Sequence, residues 1–114
     1  MSGLYNVEPY CVDLIFTKGD TVNMTFSVTL NAAVYNMNGM QMDIHIKTSN
    51  GTIIKDWSSA GDSPAIIISS DTFTIYTTGF TAAGSFKYDV QITDGADVST
   101  IMVGNVIVNK EYTT

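Results

Sequence analysis

The sequence predicts an all-β chain folded as a two-sheet antiparallel sandwich, and three observations carry that expectation. Apolar and polar residues alternate with a period of two in three long segments. Turn-forming residues recur between short strand-like runs. No segment of helical length shows the apolar repeat of a helix, and β-branched and aromatic residues dominate throughout.

The elements follow in chain order. Val12 to Thr17 is the first candidate strand. The second sets Val22, Met24, Phe26, Val28 and Leu30 against Asn23, Thr25, Ser27 and Thr29, which describes a strand with one wet face. Met40, Met42, Ile44 and Ile46 do the same against Gln41, Asp43, His45 and Lys47, as do Phe86, Tyr88, Val90 and Ile92 against Lys87, Asp89, Gln91 and Thr93. The apolar rows of these three segments are expected to face one shared core. Shorter candidates are Thr52 to Trp57, Ala65 to Ser69, Phe73 to Thr77 and Thr100 to Val108. The turns between them are built on Gly19, Gly39, Ser49-Asn50-Gly51, Gly61, Gly84 and Gly95, and Asn50-Gly51 is expected to close a tight hairpin. The reading is seven or eight strands.

A chain of 114 residues is long enough for one continuous core and too short for two ordinary ones. Residues 12–109 are read as the sandwich, 1–11 as an N-terminal arm without alternation, and 110–114 as a polar C-terminal tail. Five Lys against eleven Asp plus Glu, with no Arg, removes the side chain best suited to phosphate and base edges, so nucleic acid is not an expected partner. The start of the chain lacks the basic and long apolar stretches of a signal peptide, and no apolar run approaches a bilayer span. The expectation is a protein made in the cytoplasm, with no membrane partner.

Candidates for chemistry are few. His45 is the only histidine and lies on the polar face of its strand; Cys11 is the only cysteine, which leaves no internal disulfide and no thiolate cluster. No serine sits in a nucleophile elbow. Asp94 and Asp97 flank a short turn, without the ligand-dense loop that calcium needs. No catalytic, cofactor or metal site is therefore expected. Trp57 with Tyr35, Tyr76, Phe80 and Tyr88 would serve either as a carbohydrate platform or as core, and core is the simpler use.

Four of the six methionines lie between Met24 and Met42, a feature suited to irregular cores and adaptable interfaces. The arm carries Leu4, Tyr5, Val7, Pro9 and Tyr10, apolar groups that fit an interface with a neighbouring subunit. The final segment Thr100 to Asn109 has no charge, so it is poorly defended if it forms a sheet edge.

Lys18-Gly19-Asp20 before an alternating strand, Tyr35-Asn36-Met37-Asn38-Gly39 before a second, the Asn50-Gly51 hairpin and Gly84-Ser85-Phe86-Lys87-Tyr88-Asp89-Val90-Gln91 together resemble a phage family. It is the immunoglobulin-like domain found at the N-terminus of phage baseplate upper proteins and in related virion proteins, and the resemblance spans residues 12–109. Asn36-Met37 stands where the family usually has Asp-Leu, and Phe86 where a Tyr is common. The resemblance implies an immunoglobulin-like antiparallel β-sandwich and a non-enzymatic structural role in a bacteriophage virion. An auxiliary or decoration protein on the viral capsid is expected, with phage virion proteins such as the major capsid protein as partners and a homo-oligomer as a further possibility. A baseplate or tail component and a carbohydrate or host-surface binder are the alternatives.

Overall fold

The computed structural model describes residues 10–30 and 33–110. Its regular structure is entirely β: β1 (Tyr10–Cys11), β2 (Leu14–Thr17), β3 (Val22–Ser27), β4 (Thr29–Leu30), β5 (Ala33–Val34), β6 (Gln41–Lys47), β7 (Ile53–Ser58), β8 (Ile66–Ser69), β9 (Thr72–Thr77), β10 (Gly84–Asp94) and β11 (Asp97–Asn109). The larger sheet runs β11-β10-β6-β7, and β1 and β2 both lie along the far edge of β11, parallel to it. The smaller sheet runs β3-β9-β8, and β4 and β5 form a separate two-stranded ribbon. The two sheets pack as a sandwich, because the alternating segments present one apolar face each and each must cover the other.

The core forms where the inner rows meet. Met42, Ile44 and Ile46 of β6 and Tyr88, Val90 and Ile92 of β10 are buried from the larger sheet, and Ile66, Phe73 and Ile75 from the smaller. Phe16, Trp57 and Phe86 gather round Phe80, with ring centroids 5.2, 6.0 and 6.3 Å away, and Lys55 Nζ lies 5.8 Å from the Phe80 ring centroid. The ammonium covers the aromatic cluster as a cation over a π face.

One expectation needs correction. The segment Val22 to Leu30 is not one strand: β3 ends at Ser27, the Val28 N–H donates to the Asp71 carbonyl at 2.7 Å, and Thr29–Leu30 turns away to pair with Ala33–Val34. Its inner row does face the shared core, as do those of β6 and β10, but unevenly: Val22 is buried, whereas Met24 and Phe26 are half-buried, β3 having no strand beyond it among the described residues.

The Asn50-Gly51 hairpin forms as expected, with three loop residues, Ser49, Asn50 and Gly51. The Thr48 N–H donates to the Thr52 carbonyl at 2.9 Å and the Gly51 N–H to the Thr48 carbonyl at 3.0 Å. The Asn50 side-chain oxygen accepts from Thr52 Oγ1 at 3.2 Å and pairs with the Thr48 hydroxyl. Asn50 thus caps the turn from within, and Gly51, at φ 92°, alone takes the left-handed conformation.

One turn breaks the glycine rule. Ser70, between β8 and β9, has φ 58°, and it is held there by two bonds from the segment before β6: the Met37 N–H donates to its carbonyl at 2.8 Å, and its N–H donates to Asn38 Oδ1 at 2.9 Å. Both bonds are to the Ser70 backbone, so glycine keeps them and removes the Cβ strain. Ser70→Gly is expected to stabilise the fold by about 0.5–1 kcal/mol, read as a rise in thermal midpoint. An unchanged or lower midpoint would show that the turn is unstrained.

Candidate assembly surface

The residues singled out from sequence are dispersed rather than gathered into a cleft. Leu4, Tyr5, Val7 and Pro9 lie outside the described residues. Tyr10 and Cys11, assigned to the arm, form β1 and pair with Met102 and Val103. The uncharged Thr100 to Asn109 segment is not an edge, since β11 is flanked by β10 on one side and by β1 and β2 on the other. Trp57, Phe80 and Tyr88 are buried and Tyr35 half-buried, whereas Tyr76 is 63% exposed on the opposite sheet, so these aromatics do not share a platform.

His45 stands on the outer face of the larger sheet with Nε2 3.3 Å from Asp56 Oδ1. Asp94 and Asp97 pair directly across the β10–β11 turn. Among the described residues no group of three or more His, Cys, Asp or Glu side chains comes together as a metal site. The Tyr35 hydroxyl is pushed above the ordinary tyrosine value by burial and, secondarily, by the Asp94 carboxylate; it lies 3.7 Å from Met40 Sδ as a protonated donor. No described helix is long and apolar enough to cross a membrane.

What the structure does bring together is a difference between the two outer faces. On the larger sheet the rows are ionic: Lys47 pairs with Lys87, and Asp56, His45 and Asp89 run side by side across β7, β6 and β10. Asp43 and Gln91 form the next row. The smaller sheet carries no charge on its outer face. Its rows are Asn23–Tyr76, Thr25–Thr74–Ile67 and Ser27–Thr72–Ser69, and Thr25 Oγ1 and Thr74 Oγ1 are hydrogen-bonded at 2.9 Å. Ile67, in the middle row on the outer strand β8, is 54% exposed. The face is hydroxylated and free of the solvated charges that keep proteins apart.

The edges of the sheets differ in the same way. β7 carries Lys55 and Asp56 and a register shift near Ile53, and the β1–β2 edge is broken at Val12-Asp13, where the Asp13 carboxylate accepts from the Asn105 N–H at 3.0 Å. β8 is four residues long and follows Pro64. Charge, irregularity, brevity and proline are the usual defences of an exposed edge. β3 has none of them: Val22–Ser27 is six residues long, uncharged, and bonded on one side only among the described strands.

The direction of its backbone groups follows from the neighbouring bonds. Val28 donates to Asp71 in the register of the β3–β9 ladder, so Val22, Met24 and Phe26 turn their N–H and C=O groups toward β9. Tyr76, opposite Asn23, donates instead to Ala65 on the far side. Asn23, Thr25 and Ser27 therefore aim theirs at the open edge. A sequence signal for this surface exists: residues 21–42 contain no Asp, Glu, Lys or Arg. No family model matches the chain, and no curated protein matches its sequence.

Proposed function

We propose that the chain is a non-enzymatic assembly module of a bacteriophage virion: an immunoglobulin-like domain acting as an auxiliary or decoration protein on the capsid. Strand order supports the immunoglobulin-like part. β3, β9 and β8 stand where strands B, E and D stand in that fold, and β6, β10 and β11 stand where C, F and G do, with β7 extending the second sheet as C′. Trp57 is on β7 rather than on the strand in the C position, and a single cysteine rules out an inter-sheet disulfide, so strand order carries this reading. The phage assignment rests on the turn and strand motifs of residues 12–109. The observation that carries the assembly role is the uncharged outer face of β3, β9 and β8 set against the charged face of the other sheet.

The test is association with particles. The chain is expected in purified virions at a fixed ratio to the major capsid protein by quantitative mass spectrometry. Purified chain should also rebind particles lacking it. Binding through an uncharged face changes little between low and high salt, because there is almost no long-range charge to screen. The double substitution Ile67→Lys with Tyr76→Lys should reduce rebinding at least about tenfold while the domain stays folded. Absence from particles would overturn the virion role; full rebinding of the double variant would move the contact off this face.

A further inference from the structure

We infer that β3 is a self-pairing edge, joining a second copy of this chain so that two smaller sheets become one continuous six-stranded sheet across a two-fold axis at Thr25. The inference deepens the assembly reading above and rests on it for its role in the particle.

Asn23, Thr25 and Ser27 direct three N–H and three C=O groups at an edge that no described strand occupies. Two copies of this edge brought together antiparallel, Thr25 facing Thr25, place Asn23 of each opposite Ser27 of the other. All three are then the closely bonded kind of pair, each exchanging two N–H to O=C bonds, so every unpaired group on both edges is satisfied.

The side chains agree with the same register. On the outer face Asn, Thr and Ser meet Ser, Thr and Asn, with no charge to repel its own copy across the axis. On the inner face Met24 of each copy falls opposite Phe26 of the other, in the non-bonded pairs where side chains approach most closely. These two residues are half-buried on the inward-facing row of β3, while Phe73 and Ile75 beside them on β9 are 1% exposed. Pairing completes their burial and sets a thioether against an aromatic ring. A one-residue slip would put Met24 and Phe26 opposite polar partners, so the register is fixed by the pattern. Thr25 lies in the middle of Asn23–Ser27, which makes the arrangement symmetric, as an isologous dimer requires.

Because Thr25 is its own neighbour in the pair, a charge there meets itself. The experiment is sedimentation equilibrium of the full-length chain and of Thr25→Lys and Thr25→Glu, alone and as an equimolar mixture. Thr25 is exposed and loses only its surface bond to Thr74, so both variants should melt cooperatively near the wild-type temperature. Wild type should approach twice 12.3 kDa with rising concentration. Each variant alone should dissociate at least about tenfold more readily, and the mixture should recover the dimer as a Lys–Glu pair.

A wild type that stays monomeric would overturn the self-pairing and leave the assembly role to its own test on particles. Recovery absent from the mixture would overturn the two-fold at Thr25. A chain starting at Tyr10 is the final arm: retained dimerisation supports β3 against β3. Dimerisation lost with residues 1–9 but indifferent to Thr25→Lys would instead assign the edge to the N-terminal segment and overturn the inference.

Discussion

Val90→Asp is expected to abolish cooperative folding. Val90 sits in the middle of β10 with Ile44 opposite it on one side and Met102 on the other, and it is 1% exposed. An aspartate there either buries an ion or holds a protonated carboxyl without partners, and both cost several kcal/mol against a total stability of about 5–15. The near-ultraviolet circular dichroism and the dispersed amide spectrum should be lost together. Phe26→Asp, the same change on the smaller sheet, should behave differently, because Phe26 is half-buried on a strand with a described neighbour on one side only, where a carboxylate can reach water. It should lower the thermal midpoint and keep a single transition. A folded Val90→Asp with a wild-type midpoint would sink the assignment of this core.

That contrast marks how far the sequence was legible. Alternation reports burial directly, so β6 and β10 could be placed almost to the residue from Met42, Ile44, Ile46, Tyr88, Val90 and Ile92. Alternation says nothing about which strand lies beside which, because strand order depends on partners far away in the chain. β3 and the Thr100 to Asn109 stretch of β11 are both uncharged, for opposite reasons. That part of β11 needs no charge because both its edges are paired; β3 lacks charge although one edge is open among the described strands. Composition pointed at the wrong one. Within the segment read as the arm, the pairing was illegible for a related reason: Tyr10 and Cys11 show no pattern of their own and join the sheet because β11 offers them a parallel edge. Trp57 was legible as core from size alone, whereas its place in an aromatic cluster with Phe80 under Lys55 required the fold.

The seat of that first strand gives the second large effect. Gly104→Ala is expected to destabilise the domain by about 2–4 kcal/mol, the sum of roughly 1–3 for overpacking and about 1 for a lost hydrogen bond. A Cβ on Gly104 would lie 1.9 Å from the Val12 carbonyl oxygen and 3.0 Å from Tyr88 Cε1, so a backbone atom blocks it on one side and a ring on the other. The glycine is needed for closeness: Tyr88, directly opposite in the β10–β11 ladder, reaches across it to donate from its hydroxyl to the Val12 carbonyl at 2.6 Å. The Val12 N–H in turn donates to the Val103 carbonyl at 3.0 Å. Val12 lies between β1 and β2, so an added methyl pushes the chain off β11 where the two short strands join. For a domain of this size the loss corresponds to a midpoint lower by about 10–20 °C. Tyr88→Phe removes the hydrogen bond alone and should cost only about 1 kcal/mol. Hydrogen exchange separates a local from a general effect: in Gly104→Ala the Val12 amide should exchange far faster than in wild type, while the amides of Ile44 and Val90 stay protected in proportion to the remaining global stability. A Gly104→Ala midpoint within about 2 °C of wild type would mean that Val12 moves aside freely and that β1 and β2 are not held as described.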